Sequence, residues 1–109
     1  MELVNKMPVI VELNVIPLGV GVSVSEYLVP ALRVLENLDV KYETNPMCTV
    51  FESENVEKAL DIIKEVHNAV FNGEVKRLVT TVKIDDRRDV KRSMKEKLES
   101  LEKTLKSKT

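Results

Sequence analysis

Val9-Ile10-Val11-Glu12-Leu13-Asn14-Val15-Ile16-Pro17-Leu18-Gly19 has a counterpart late in the chain, Leu78-Val79-Thr80-Thr81-Val82-Lys83-Ile84-Asp85-Asp86-Arg87-Arg88. Successive side chains of a strand point to opposite faces. Val9, Val11, Leu13 and Val15 therefore share one side, and Ile10, Glu12, Asn14 and Ile16 the other. The first set makes a core face. The second mixes aliphatics with a carboxylate and an amide, and on a central strand such a face is where a small sheet protein can hold a ligand or a partner.

Between these strands, Ser23-Val24-Ser25-Glu26 fits a capping box, and Tyr27, Leu28, Ala31, Leu32, Leu35 and Leu38 recur at helical spacing, predicting a helix over 24–38. Pro30 deprives the Glu26 carbonyl of its donor, so the first two turns are expected to kink or loosen. Residues 40–43 and 47–52 read as strands joined by Asn45-Pro46 turn chemistry. Ser53 or Asn55 can cap a second helix with Val56, Leu60, Ile63, His67 and Val70 in one stripe, stopping at Asn72-Gly73. The last strand covers 75–85. Asp86 or Asp89 then caps a third helix over about 87–106, in which Val90, Met94, Leu98, Leu101 and Leu105 form a narrow seam. Such a seam suits packing against another subunit, or against its own sheet.

Strand, helix, strand, strand, helix, strand and an added helix make an α+β protein: a ferredoxin-like βαββαβ sandwich with an additional C-terminal helix, one domain over 1–109. Right-handed crossovers place the first two helices on one face and leave the face of Glu12 and Asn14 bare. A face holding Ile10 and Ile16 does not suit water, and the same face of a second copy would cover it most simply.

A chain of 109 residues buries roughly 65% of its unfolded surface, enough for a core without staples. Its single cysteine, Cys48, excludes an intramolecular disulfide and a cysteine-rich zinc site, and a reducing cytoplasm is the expected home. No run approaches the ~20 apolar residues of a membrane span, and Met1-Glu2-Leu3-Val4-Asn5-Lys6 lacks a secretory pattern, so no membrane partner is expected. Net charge is −1, which disfavours nucleic acid. From Arg87 to Lys108 nine basic residues outnumber four acids, but with no aromatic to stack on a base this is a solvated helix face.

Catalytic motifs are absent: one histidine and one cysteine stand apart, without a nucleophile and base at motif spacing. Gly19-Val20-Gly21 lacks the third glycine of a dinucleotide fingerprint. His67 lies on the apolar stripe of the second helix and reads as a packed or hydrogen-bonded core histidine, and Cys48 as a small buried hydrophobe on a strand. Asp85, Asp86 and Asp89 are interleaved with Arg87 and Arg88, which favours ion pairs and helix capping over a metal. Glu12, Asn14, Thr49, Thr80 or Thr81, and Lys83 lie on adjoining strands and need partners if buried. They either pair across a subunit interface or line a pocket for a small polar heteroaromatic ligand. A one-residue slip of register exchanges Thr80 and Thr81 between faces.

Pro17-Leu18-Gly19, Tyr42-Glu43-Thr44-Asn45-Pro46-Met47-Cys48-Thr49, Val66-His67-Asn68-Ala69-Val70-Phe71 and the run from Val79 to Arg88 resemble the small thiamine-binding-protein family of archaea and bacteria. The resemblance extends over about residues 8–105, with one departure at Cys48, where a glycine is usual. It implies a ferredoxin-like homodimer or homotetramer that binds thiamine or its hydroxymethylpyrimidine part. Thiamine calls for a hydrogen-bond acceptor such as Glu12 or Asn14, hydroxyls, and a wall that Met47 and a tyrosine could supply. Lys83 would repel the thiazolium cation unless Glu12 or Asp85 neutralised it. The candidate ligand set is Glu12, Asn14, Tyr42, Asn45, Met47, Thr49, Thr80, Thr81 and Lys83, with no catalytic residue, metal or cofactor. The expectation is a non-catalytic binding protein. An oligomeric assembly or regulatory module without a metabolite is the alternative, and an enzyme has least support.

Overall fold

A computed structural model describes residues 8–71, 74–89 and 93–108. The elements run β1 (Val9–Leu18), α1 (Ser25–Asn37), β2 (Lys41–Thr44), β3 (Thr49–Ser53), α2 (Val56–Val70), β4 (Arg77–Asp85) and α3 (Met94–Ser107). The sheet order is β2-β3-β1-β4, with every neighbouring pair antiparallel. This is the ferredoxin-like arrangement with an added C-terminal helix.

Alternation along β1 sets the layers. Val9, Val11 and Leu13 are buried and join Phe51, Ala31, Leu35, Ala59, Val66 and Val70 in one core beneath α1 and α2. Each such large aliphatic or aromatic side chain contributes about 1.5–3 kcal/mol when fully buried. In α2 the buried positions are Ala59, Val66 and Val70, while Leu60 is 53% exposed. The predicted stripe is thus rotated, because small Ala59 rather than Leu60 fits against the sheet. The thinnest dimension of the molecule is 20 Å, which is one sheet and one layer of helices.

Helix ends are settled by local chemistry. Ser23 does not cap α1: Val24 occupies that position without a side-chain hydrogen bond, and the helix continues through Pro30. At its far end the N–H groups of Val40 and Asp39 donate to Leu35 O and Glu36 O, a Schellman closure with Asp39 at φ 55°. Asn55 caps α2, its Oδ1 accepting from Lys58 N at 2.8 Å. The predicted stop at Asn72-Gly73 lies outside the described residues, as do Val90 and the N-terminal stretch Met1 to Lys6. Helix α3 begins at Met94 rather than near 87. Ser93 and Glu96 form a reciprocal capping box there, whereas Asp86 and Asp89 accept from Arg88 and Arg87. Two side-chain contacts tie α3 to the sheet: Met94 N donates to Glu52 Oε1 at 3.0 Å, and Lys97 pairs with Asp85. Its seam residues Leu98, Leu101 and Leu105 are 52%, 66% and 64% exposed, so among the described residues α3 does not pack its stripe on its own sheet.

Candidate functional site

Strand register divides the nine candidate residues. Glu12 lies opposite Lys83, Asn14 opposite Thr81 and Ile16 opposite Val79, all on the face away from α1 and α2. Val50 and Glu52 of β3, and Lys41 and Glu43 of β2, share that face. It therefore carries apolar Ile10, Ile16, Leu18, Val50 and Val79 around a polar centre. Glu12, Thr81 and Lys83 are exposed and Asn14 is half-buried. Glu12 and Lys83 make no hydrogen bond or ion pair among the described residues, although they are direct cross-strand neighbours. Glu52, by contrast, is committed to Met94 N and faces Lys41 at 3.9 Å.

Tyr42, Thr49 and Thr80 belong to the helix-covered face, opposite Phe51, Leu13 and Val15 respectively. Thr80 Oγ1 and His67 Nδ1 share a hydrogen bond of 2.6 Å, and the imidazole meets Phe71 edge-on at 5.4 Å. His67 is hydrogen-bonded, as its place on the stripe suggests, but half-buried at the edge of the core rather than within it. Desolvation and the Glu36 carboxylate raise the Tyr42 phenol above its ordinary pKa.

A cleft of about 160 Å³ lies on the helix side where β3 begins. Leu28, Leu32 and Val66 form its apolar side, and the β2–β3 turn forms the other wall. Of the candidates, Asn14, Asn45, Met47 and Thr49 line it; Glu12, Tyr42, Thr80, Thr81 and Lys83 do not. Asn45 builds the turn. Its Oδ1 accepts from Met47 N and Cys48 N, both at 3.0 Å, and its own N–H donates to Cys48 O at 2.9 Å. Met47 sits at the rim, 81% exposed. Cys48 belongs to this turn rather than to a strand and is half-buried, lining the cleft. Sequence reasoning missed Leu28 and Leu32 as cleft residues. Their helical spacing marked them as buried-face positions but could not tell a core contact from a cavity wall.

Beyond β4, Arg87 Nε holds Asp89 at 2.6 Å and Arg88 Nη2 holds Asp86 at 2.8 Å. The Arg88 hydrogen bond lowers the Asp86 pKa against a smaller opposing desolvation effect. At the start of α1 the Tyr27 hydroxyl donates to Glu74 Oε2 at 2.7 Å, which raises its pKa to about 12.

The sequence matches the family described as Thiamine-binding protein over residues 11–102. A UPF0045 protein of Methanothermobacter thermautotrophicus is 40% identical over 95 residues, covering 86% of this chain and 96% of that one. A UPF0045 protein of Bacillus subtilis is 35% identical over 101 residues, covering 88% and 96%. Among solved structures, a hypothetical protein of Methanocaldococcus jannaschii superposes with a TM-score of 0.79 at 40% identity, covering 87% of this chain and 96% of that one. A Thermotoga maritima protein, named as a candidate thiamine biosynthesis/salvage protein, gives 0.72 at 26% identity, covering 86% and 98%. With the fold, the cleft and a match along nearly its whole length, this chain belongs to the thiamine-binding protein family.

Proposed function

We propose that this chain is a non-catalytic binding protein for thiamine or a hydroxymethylpyrimidine-like metabolite, acting as a homo-oligomer. The observation that carries the reading is the cleft at the start of β3. It gathers Asn45, Met47 and Thr49 against an apolar side of Leu28, Leu32 and Val66, the combination of shape and sparse polar groups that small planar ligands need. Family membership and the Thermotoga relative support the same ligand class. The non-catalytic part rests on chemistry: His67 is turned to Thr80, and Cys48 to the Asn45 turn.

Self-association draws support from the open sheet face, where Ile16 is 45% and Val79 41% exposed. That face also favours the second reading, an assembly module whose polar centre joins subunits without a metabolite. Thermal shift with thiamine, hydroxymethylpyrimidine, thiamine phosphates and control nucleosides separates the two. A ligand at 100 times its Kd adds about 2.7 kcal/mol. A saturable shift with thiamine or the pyrimidine alone supports the binding protein, and none at millimolar ligand refutes it.

A further inference from the structure

Two ladders of unequal length meet on β1. Pairing with β4 continues to Leu18 opposite Arg77, whereas pairing with β3 stops at Leu13 opposite Thr49. Backbone groups of successive residues in an antiparallel sheet turn alternately to the two neighbours. Pro17 has no N–H yet lies within the β4 ladder opposite Leu78, so its position suits the parity turned away from β4. The ladder ends agree: the β3 ladder starts and stops at Val9 and Leu13, the β4 ladder at Ile10 and Leu18. Val15 shares the parity of Pro17. Its N–H and C=O consequently face the β3 side, beyond the start of β3. The β2–β3 turn bonds to itself through Asn45, and no backbone hydrogen bond outside the ladders reaches Val15 among the described residues. Val15 lines the cleft.

We infer that the main chain of Val15 is the polar rung of the cleft, a donor beside an acceptor that selects planar heterocycles carrying a ring nitrogen next to an exocyclic amine. An N–H and a C=O without protein partners are left to water in the free chain, and such a ring edge satisfies both groups at once. Drug-sized ligands occupy clefts of about 300–1,000 Å³. A space of about 160 Å³ is of single-ring size, so the aminopyrimidine enters and the rest of a larger molecule stays at the mouth beside Met47. The inference rests on the small-molecule reading above and adds what is recognised. In the same pose, exchanging the amine for an oxo group sets oxygen against the Val15 carbonyl and a ring N–H against the Val15 N–H; the lactam recovers both bonds only by turning over, which carries its 5-hydroxymethyl group away from the position it holds in the amine.

The test is amide hydrogen exchange by NMR on the full chain, with and without 4-amino-5-hydroxymethyl-2-methylpyrimidine, together with calorimetry of that compound and its 4-oxo analogue. The Val15 amide exchanges faster than that of Leu13 in the free protein and slows on adding the aminopyrimidine. The 4-oxo analogue binds at least about tenfold more weakly, and Val15→Pro loses a similar factor at unchanged circular dichroism, because the β4 ladder does not use this N–H. Should Val15→Pro fail to fold, exchange and the analogue on the wild-type chain decide. Wild-type affinity in a folded Val15→Pro variant, equal affinity for the oxo analogue, or no slowing at Val15 while the ligand binds overturns the inference and leaves the binding function standing. Protection of Val15 already in the free protein assigns the edge to another strand and overturns it too. No binding of any aminopyrimidine removes both.

Discussion

Asn45→Ala deletes the one oxygen that receives the N–H groups of Met47 and Cys48, each at 3.0 Å. A hydrogen bond of this kind contributes about 0.5–1.5 kcal/mol net. The turn is exposed, so water replaces part of the lost acceptor and the combined cost falls near the low end, about 1 kcal/mol. For a domain near 100 residues that lowers Tm by about 4–6 °C. The same turn supplies one wall of the cleft, from Thr44 to Thr49. Making its ordered form about 1 kcal/mol less favourable weakens ligand binding by up to about fivefold, through the smaller fraction of competent protein. Asn45→Asp keeps an acceptor oxygen in place and retains most of both properties. Differential scanning fluorimetry and calorimetry on the three proteins check this. An Asn45→Ala protein with wild-type Tm and wild-type affinity would refute the assignment of Asn45 as organiser of the cleft wall.

Thr80→Val leaves the His67 imidazole without its 2.6 Å partner and is expected to cost about 1–2 kcal/mol in urea unfolding, whereas Thr81→Val on the open face changes stability by less than about 0.5 kcal/mol; equal losses would contradict the register. On the proposed self-association through the open face, Ile16→Lys reduces the mass seen by light scattering while circular dichroism stays unchanged, since Ile16 is already 45% exposed in the single chain; an unaltered mass would point to another surface. The Tyr27 hydroxyl donates to Glu74 and its pKa rises from 10.0 to about 12 in the fold. A raised folded-state value means that this stabilisation is complete below pH 10 and is lost as pH climbs toward 12. Ultraviolet titration of the chain against Tyr27→Phe should show the missing phenol ionising late, and titration near pH 10 would count against the hydrogen bond.

Periodicity made most of the fold legible. Alternation in β1 separated Val9, Val11 and Leu13 from Glu12 and Asn14, and the element order implied helices on one face only. Those are local properties of the backbone, written in which residue follows which. The cap of α3 escaped because aspartate and serine both satisfy the rule for an N-cap. The neighbouring arginines took Asp86 and Asp89 into ion pairs and left the role to Ser93. The α2 stripe escaped because helical spacing does not say whether Ala59 or Leu60 has room against the sheet. Polar character on adjoining strands, the family resemblance and the need for a wall such as Met47 drew the nine candidate residues into one set. Pairing Glu12 with Lys83 and Asn14 with Thr81, while turning Thr80 to His67 and Thr49 to the helix side, divided them between an open face and the helix-covered side, where Asn45, Met47 and Thr49 line the cleft and Tyr42 and Thr80 do not. The amino-acid sequence by itself determined the elements, their order and the two-sided character of β1. Tertiary structure decided the register, the late start of β3 and the backbone edge left beside Val15, because strand pairing is a relation between distant segments and a one-residue shift reverses every side chain it positions.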